Sequence, residues 1–117
     1  MYKILALILT FFSVTNAYPI GKYCANIWGA ELNITFSKFN SSNITANIFG
    51  QKLECDNSMY LVNNSYLEYN KNPNSCLNEH LSTRNLCPCP PHVFYDTKAN
   101  NVIVRDTPVG NITLLPC

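Results

Sequence analysis

The amino-acid sequence predicts a mainly β protein: a single antiparallel β-sandwich or small flattened barrel, disulfide-bridged, with one short helix at most. Three observations lead there. Leu32, Ile34 and Phe36 alternate with Asn33 and Thr35, and Ile44, Ala46 and Ile48 alternate with Thr45 and Asn47. A strict period of two puts the apolar side chains on one face of a strand and the polar ones on the other. Polar clusters at Asn40-Ser41-Ser42, Asn63-Asn64-Ser65 and Lys98-Ala99-Asn100 separate such runs at hairpin spacing. Finally, six cysteines fall in a short segment, and an even count in a small exported chain reads as three disulfides.

The first 17 residues stand apart from this pattern. Tyr2 and Lys3 give a short basic start, Ile4 to Val14 is apolar, and Thr15-Asn16-Ala17 supplies small or polar residues before Tyr18. This is the layout of a secretory signal peptide, and the apolar run is shorter than the ~20 residues a membrane-spanning helix needs. Cleavage after Ala17 leaves residues 18–117 as one domain. No second apolar run of anchor length follows, so the expected location is secreted and extracellular, without a membrane span.

Within the mature chain, Cys24 to Trp28 is the first candidate strand. Trp28-Gly29-Ala30 is expected to bend or bulge it before Leu32, and Gly50 to kink the strand that runs to Cys55. Met59 to Val62 and Tyr66 to Tyr69 form a hairpin about Asn63-Asn64-Ser65. Cys76 to Arg84, with Leu77 and Leu81 four apart and Ser75 in the capping position, is the one candidate helix. The three prolines in Leu86 to Pro91 exclude a helix, so the stretch reads as an extended connector. Val93 to Tyr95, Val102 to Arg105 and Asn111 to Leu115 return to strands. The alternation assigns the core to Leu32, Ile34, Phe36, Ile44, Ala46, Ile48, Val102, Val104, Ile112 and Leu114.

Composition excludes some functions. Eight basic and seven acidic residues become seven and seven once Lys3 is removed, and no cluster of Lys or Arg remains. Nucleic acid and anionic membrane surfaces, which are held by clustered basic residues, are therefore poor partners. Five glycosylation sequons begin at Asn33, Asn40, Asn43, Asn63 and Asn111, all in turns or on polar strand faces. Cys87, Cys89 and His92, with His80 as a fourth donor, resemble a zinc ligand set. In an oxidising compartment the same thiols form disulfides, so no metal and no cofactor is expected. Two cysteines separated by a single proline are expected to avoid each other, with at least one bridging to a distant half-cystine. The disulfide candidates are thus Cys24, Cys55, Cys76, Cys87, Cys89 and Cys117, with the pairing open. Neither histidine stands in a nucleophile motif, and Glu54 and Asp56 read as solvated carboxylates, so no catalytic residue is assigned.

Gly21-Lys22-Tyr23 ahead of a β-meander resembles the G-x-W/Y opening of calycins, the lipocalin-type binding barrels. That resemblance implies an apolar pocket, although a full lipocalin barrel uses more than 100 residues. Over the whole mature chain, G-K-Y-C, L-N-I-T-F, I-T-A-N-I-F-G, L-E-C, S-C-L, V-F-Y, N-V-I-V and G-N-I-T-L-L-P-C follow in order. This resembles a group of small secreted, cysteine-containing β-domain proteins of protist parasites whose function is unassigned. It implies export and a host-facing role, with Cys24, Cys55, Cys76 and Cys117 as framework cysteines and Cys87 and Cys89 as an addition. The leading expectation is a non-catalytic protein acting by surface recognition of a macromolecule, an extracellular protein or glycan. The runner-up is a carrier of a small apolar, lipid-type ligand, and a histidine-based enzyme ranks third. A concave apolar cavity of about 300 Å³ or more is the feature that favours the carrier.

Overall fold

The computed structural model describes residues 18–117, and the expected signal peptide lies outside them. Eight strands follow one another around a closed antiparallel barrel: β1 (Gly21–Ile27), β2 (Ala30–Phe36), β3 (Ser41–Ile48), β4 (Gln51–Asn63), β5 (Tyr66–Tyr69), β6 (His92–Asp96), β7 (Asn101–Thr107) and β8 (Gly110–Pro116). Helix α1 (Cys76–Thr83) is inserted between β5 and β6. Of the two expected architectures the barrel is the one formed, and the single short helix is where capping placed it. Ser75 accepts the Asn78 N–H at the helix start, satisfying one of the free amides of the first turn.

The central hairpin has the register that the alternation demands. Ile34 faces Ile44 and Leu32 faces Ala46, so both apolar faces turn into the barrel. Its neighbours correct the sequence reading. Trp28-Gly29 is not a bulge but a two-residue turn joining β1 to β2, with Ile27 paired to Ala30. Phe49-Gly50 is likewise a turn, with Ile48 paired to Gln51, rather than a kink within a strand. Both central residues of each turn have positive φ, which matches the twist of the flanking strands. In β4 the two runs read separately are one 13-residue strand. A register shift in its pairing with β3 and a positive φ at Asn57 absorb the irregularity.

The ring closes where β1 meets β8. Only Tyr23–Pro116 and Cys24–Leu115 pair there, and the Cys24–Cys117 disulfide lies directly alongside. The Cys117 N–H adds a bond to the Lys22 carbonyl at 3.0 Å. A second bridge, Cys55–Cys76, ties the start of α1 to the inward-pointing Cys55 of β4. The third is Cys87–Cys89, which contradicts the expectation of a long-range partner. The connector turns back on itself at Pro88 instead of running extended, bringing the two Cα atoms to 4.7 Å, within reach of a bridge. The clamp between the helical segment and the sheet is therefore Cys55–Cys76. All six cysteines are paired, which is consistent with an oxidising environment.

The barrel interior divides into two halves. At the end where β1 begins and β8 finishes, Tyr23, Phe36, Tyr60, Tyr69 and Tyr95 form a run of aromatic contacts with centroids 5.5–6.3 Å apart, mostly edge to face. Three of the four hydroxyls are anchored, and that of Tyr60 is buried without a partner. Tyr23 and Tyr95 both donate to Asn100 Oδ1, at 2.6 and 3.0 Å, and Tyr69 shares a 2.8 Å bond with Ser42 Oγ. Towards the other end the inward residues become aliphatic: Ile34, Ile44, Ala46, Leu53, Val93 and Val104.

Burial pushes the Tyr23 phenol up to about 12, with the Tyr95 hydroxyl beside it adding to the rise. Burial also raises Tyr60 and Tyr69, the Ser42 bond opposing the rise at Tyr69. A phenol whose folded pKa exceeds its unfolded value of 10 stabilises the fold fully below pH 10, and that contribution is lost as pH climbs towards 12. The denaturant midpoint should therefore be insensitive to these groups up to about pH 9 and fall above about pH 10. Phenolate absorbance of the buried tyrosines should appear only together with unfolding. Titration of every tyrosine near pH 10 with the fold intact would contradict this packing.

Candidate functional site

Consecutive antiparallel strands put alternate turns at the same end of a barrel. The β1–β2, β3–β4 and β7–β8 turns, with the segment that contains α1, thus share the end opposite the aromatic cluster. Between them an apolar cavity of about 520 Å³ opens. Its floor is Ile34, Ile44, Ala46, Leu53, Val93 and Val104. Ala25, Ala30, Leu32, Ile48 and Ile112 form its walls, and Leu77, Leu81, Leu86, Pro88 and Pro91 of the helical segment close one side. Apart from Glu31, Arg105 and Thr107 towards the mouth, every lining side chain is apolar or aromatic.

Residue size explains why space is left at this end. Where the closed half of the barrel holds five aromatic rings, the open half presents alanine at Ala25, Ala30 and Ala46. Seven of the ten expected core residues are buried: Ile34, Phe36, Ile44, Ala46, Val102, Val104 and Leu114. Leu32, Ile48 and Ile112 are only partly buried, and all three line the cavity. They point inward as the alternation requires, but into space.

Helix α1 is held across part of the mouth. Leu77 is buried against the core, the Cys55–Cys76 bridge fixes the first turn, and Arg84 Nη2 donates to the Lys52 carbonyl at 3.2 Å. The Leu86 N–H bonds the Leu81 carbonyl at 2.8 Å and turns the chain into the Pro-rich connector.

The rim is formed by turn tips that break the local rule of the chain. Among the described residues, eight other than glycine have positive φ. Six are Asn or Asp, the types that tolerate this conformation best: Asn40, Asn57, Asn64, Asn85, Asn100 and Asp106. The other two are Trp28, with φ 53°, and Phe49, with φ 51°. Bulky residues there cost ~1–2 kcal/mol, because Cβ crowds the following carbonyl. Neither ring recovers that cost by packing, since Trp28 is 92% and Phe49 72% exposed. Val109, at the tip of the β7–β8 turn, is also largely exposed.

The remaining candidate residues lie elsewhere. His92 Nδ1 meets Asp106 Oδ2 at 2.9 Å on the outer surface, and His80 Nδ1 accepts from Arg84 Nη1 at 2.8 Å. Neither imidazole ring is hydrogen-bonded to a hydroxyl or thiol among the described residues. The sulfurs of Cys55 and Cys76 approach His80, but they are consumed by their mutual bridge, as those of Cys87 and Cys89 are by theirs. Glu54 and Asp56 are exposed on the outer face of β4. Among the sequon asparagines, Asn43, Asn63 and Asn111 are exposed and Asn33 and Asn40 partly so. Asn43 Oδ1 accepts the Asn57 N–H and Asn111 Oδ1 the Asp106 N–H.

Sequence reasoning missed the rim and the lid. The available signal was the repeat of Asn-Ile-aromatic-Gly at Asn26–Gly29 and Asn47–Gly50, two aromatic-glycine turns closing neighbouring hairpins. Comparison of the chain with protein-family models, with curated proteins and with solved structures returns no match in any of the three.

The strain at the rim has a measurable consequence. Phe49→Asn should stabilise the fold by about 0.5–1 kcal/mol, because asparagine accepts the left-handed conformation and little packing is lost. Guanidinium unfolding should register a higher midpoint. A lower one would show that the Phe49 ring is held by contacts that its exposure does not reveal.

Proposed function

We propose that the protein is a secreted, non-catalytic carrier of a small apolar ligand of the fatty-acyl or lipid type, with the barrel cavity as its binding site. The observation that carries this reading is the cavity itself. At about 520 Å³ it exceeds the 300 Å³ criterion and falls in the usual range for ligand pockets. An apolar pocket without convergent polar groups selects by size and hydrophobicity, which suits a hydrocarbon chain better than a hydrogen-bonding substrate. Glu31 and Thr107 are placed towards the mouth, where the polar end of such a ligand would emerge, while the Arg105 guanidinium lies over the Phe94 ring.

This reverses the order in which the sequence ranks the two readings. Surface recognition of a protein or glycan was favoured by the absence of any legible site, and the cavity supplies one. The calycin-like reading of Gly21-Lys22-Tyr23 gains support from an eight-stranded meander with Tyr23 in the closed, aromatic end. Export agrees with three disulfides in one small domain.

Filling the cavity tests the reading. Ala46→Phe and Ala25→Phe each put a ring into the space, and each should weaken binding of a fluorescent polyene fatty acid roughly tenfold or more. Two positions are used because one of them could overpack locally. Folded variants that bind the probe as tightly as the unsubstituted protein would rule out the cavity as the site.

A further inference from the structure

The rim of the cavity carries a second message, which rests on the carrier reading for its purpose but on different residues for its support. Trp28, Phe49 and Val109 are large apolar side chains at three separate turn tips, all at the mouth and all mostly exposed. Two of them hold a backbone conformation that, among the described residues, is otherwise taken only by Asn, Asp and Gly. The hairpins need this conformation but not a bulky residue in it, so strain kept at an exposed Trp or Phe is an indication of function. The corresponding turns at the opposite end follow the ordinary rule, with Asn40, Asn64 and Asn100 at the positive-φ positions.

We propose that the mouth end docks onto a zwitterionic phospholipid bilayer, with Trp28, Phe49 and Val109 seated in its interfacial region and the cavity opening towards the acyl chains. Charge points to this surface. No charged residue lies within two positions of any of the three tips. The nearest along the chain are Glu31, Lys52 and Asp106, each three positions away. Glu31 and Lys52 are of opposite sign, Asp106 is paired with His92 and the Arg105 guanidinium lies over the Phe94 ring, so the surroundings of the tips are mixed in sign and suit a zwitterionic headgroup layer. An anionic surface would call for a polybasic cluster, and the rim has none. Shape points the same way. A protein partner needs a continuous complementary patch of about 1,000 Å² or more, whereas here three projecting points surround an opening. Tryptophan at the leading tip suits the interface, where its apolar ring and polar N–H are both accommodated. Docked in this way, an acyl ligand passes between membrane and cavity without crossing water.

Trp28 is the only tryptophan, so its emission reports on one tip. The secreted, oxidised protein should float with phosphatidylcholine vesicles, and its emission should move to the blue and be quenched by bromine-labelled acyl chains. Binding should persist near 1 M salt, where the Debye length is only about 3 Å. Phe49→Asn, which keeps the turn and the reporter, should weaken vesicle affinity roughly tenfold or more. Phe39→Ser, at the opposite end, should leave it unchanged. The proposal is overturned if phosphatidylcholine vesicles neither shift the emission nor carry the protein. It is overturned equally if both substitutions weaken binding alike, or if binding requires anionic lipid and is released by salt. Fatty-acid uptake in vesicle-free buffer reads the cavity separately. Uptake without vesicle binding removes the docking proposal alone, whereas vesicle binding without uptake removes the carrier reading and leaves docking in place.

Discussion

Closure of the ring between β1 and β8 is the constraint on which the rest of this structure depends. A meander of eight strands left open would expose two edges and have no interior. The last and first strands share only two residue pairs, one of them to Pro116, which donates no backbone hydrogen bond. The Cys24–Cys117 bridge makes the join permanent over a sequence separation of 93. Restricting so long a loop in the unfolded chain contributes about 4–5 kcal/mol in the chain-entropy model. Against a total stability of about 5–15 kcal/mol for a small domain, that is a large share. The Tyr23 and Tyr95 bonds to Asn100 brace the same end, linking β1 to the β6–β7 turn.

With one end tied and filled with aromatic rings, the other can be left hollow. The closed half supplies packing and the anchored hydroxyls of Tyr23, Tyr69 and Tyr95, and the open half gives up packing to make a cavity. Alanine at three wall and floor positions, and aromatic residues spent on exposed turns instead of inside, are the marks of that division. Helix α1 is secured by its cap, its bridge to Cys55 and the burial of Leu77, so it restricts the mouth without sealing it.

Much of this was legible in the sequence, because alternation is a local property. The facing of Ile34 and Ile44, the Asn63-Asn64-Ser65 hairpin and the Ser75-capped helix all follow from a few adjacent residues. What stayed hidden is long-range or runs against local preference. Trp28-Gly29 and Phe49-Gly50 read as a bulge and a kink because aromatic residues are not turn formers, although both close hairpins. Alternation shows that Leu32, Ile48 and Ile112 point inward, but not that the space before them is empty, since that depends on residues distant in sequence. The Cys87–Cys89 bridge was misjudged because Pro88 was taken to stiffen an extended chain, whereas it sits within a bend.

The central claim is that a half-filled barrel holds an apolar ligand. Native mass spectrometry of the oxidised protein from the cells that express it, compared with the same sample under denaturing conditions, tests it most directly. The account expects a mass difference equal to about one lipid-sized molecule per chain, lost after organic extraction and regained on incubation with fatty acid. Equal native and denatured masses, before and after that incubation, would contradict it.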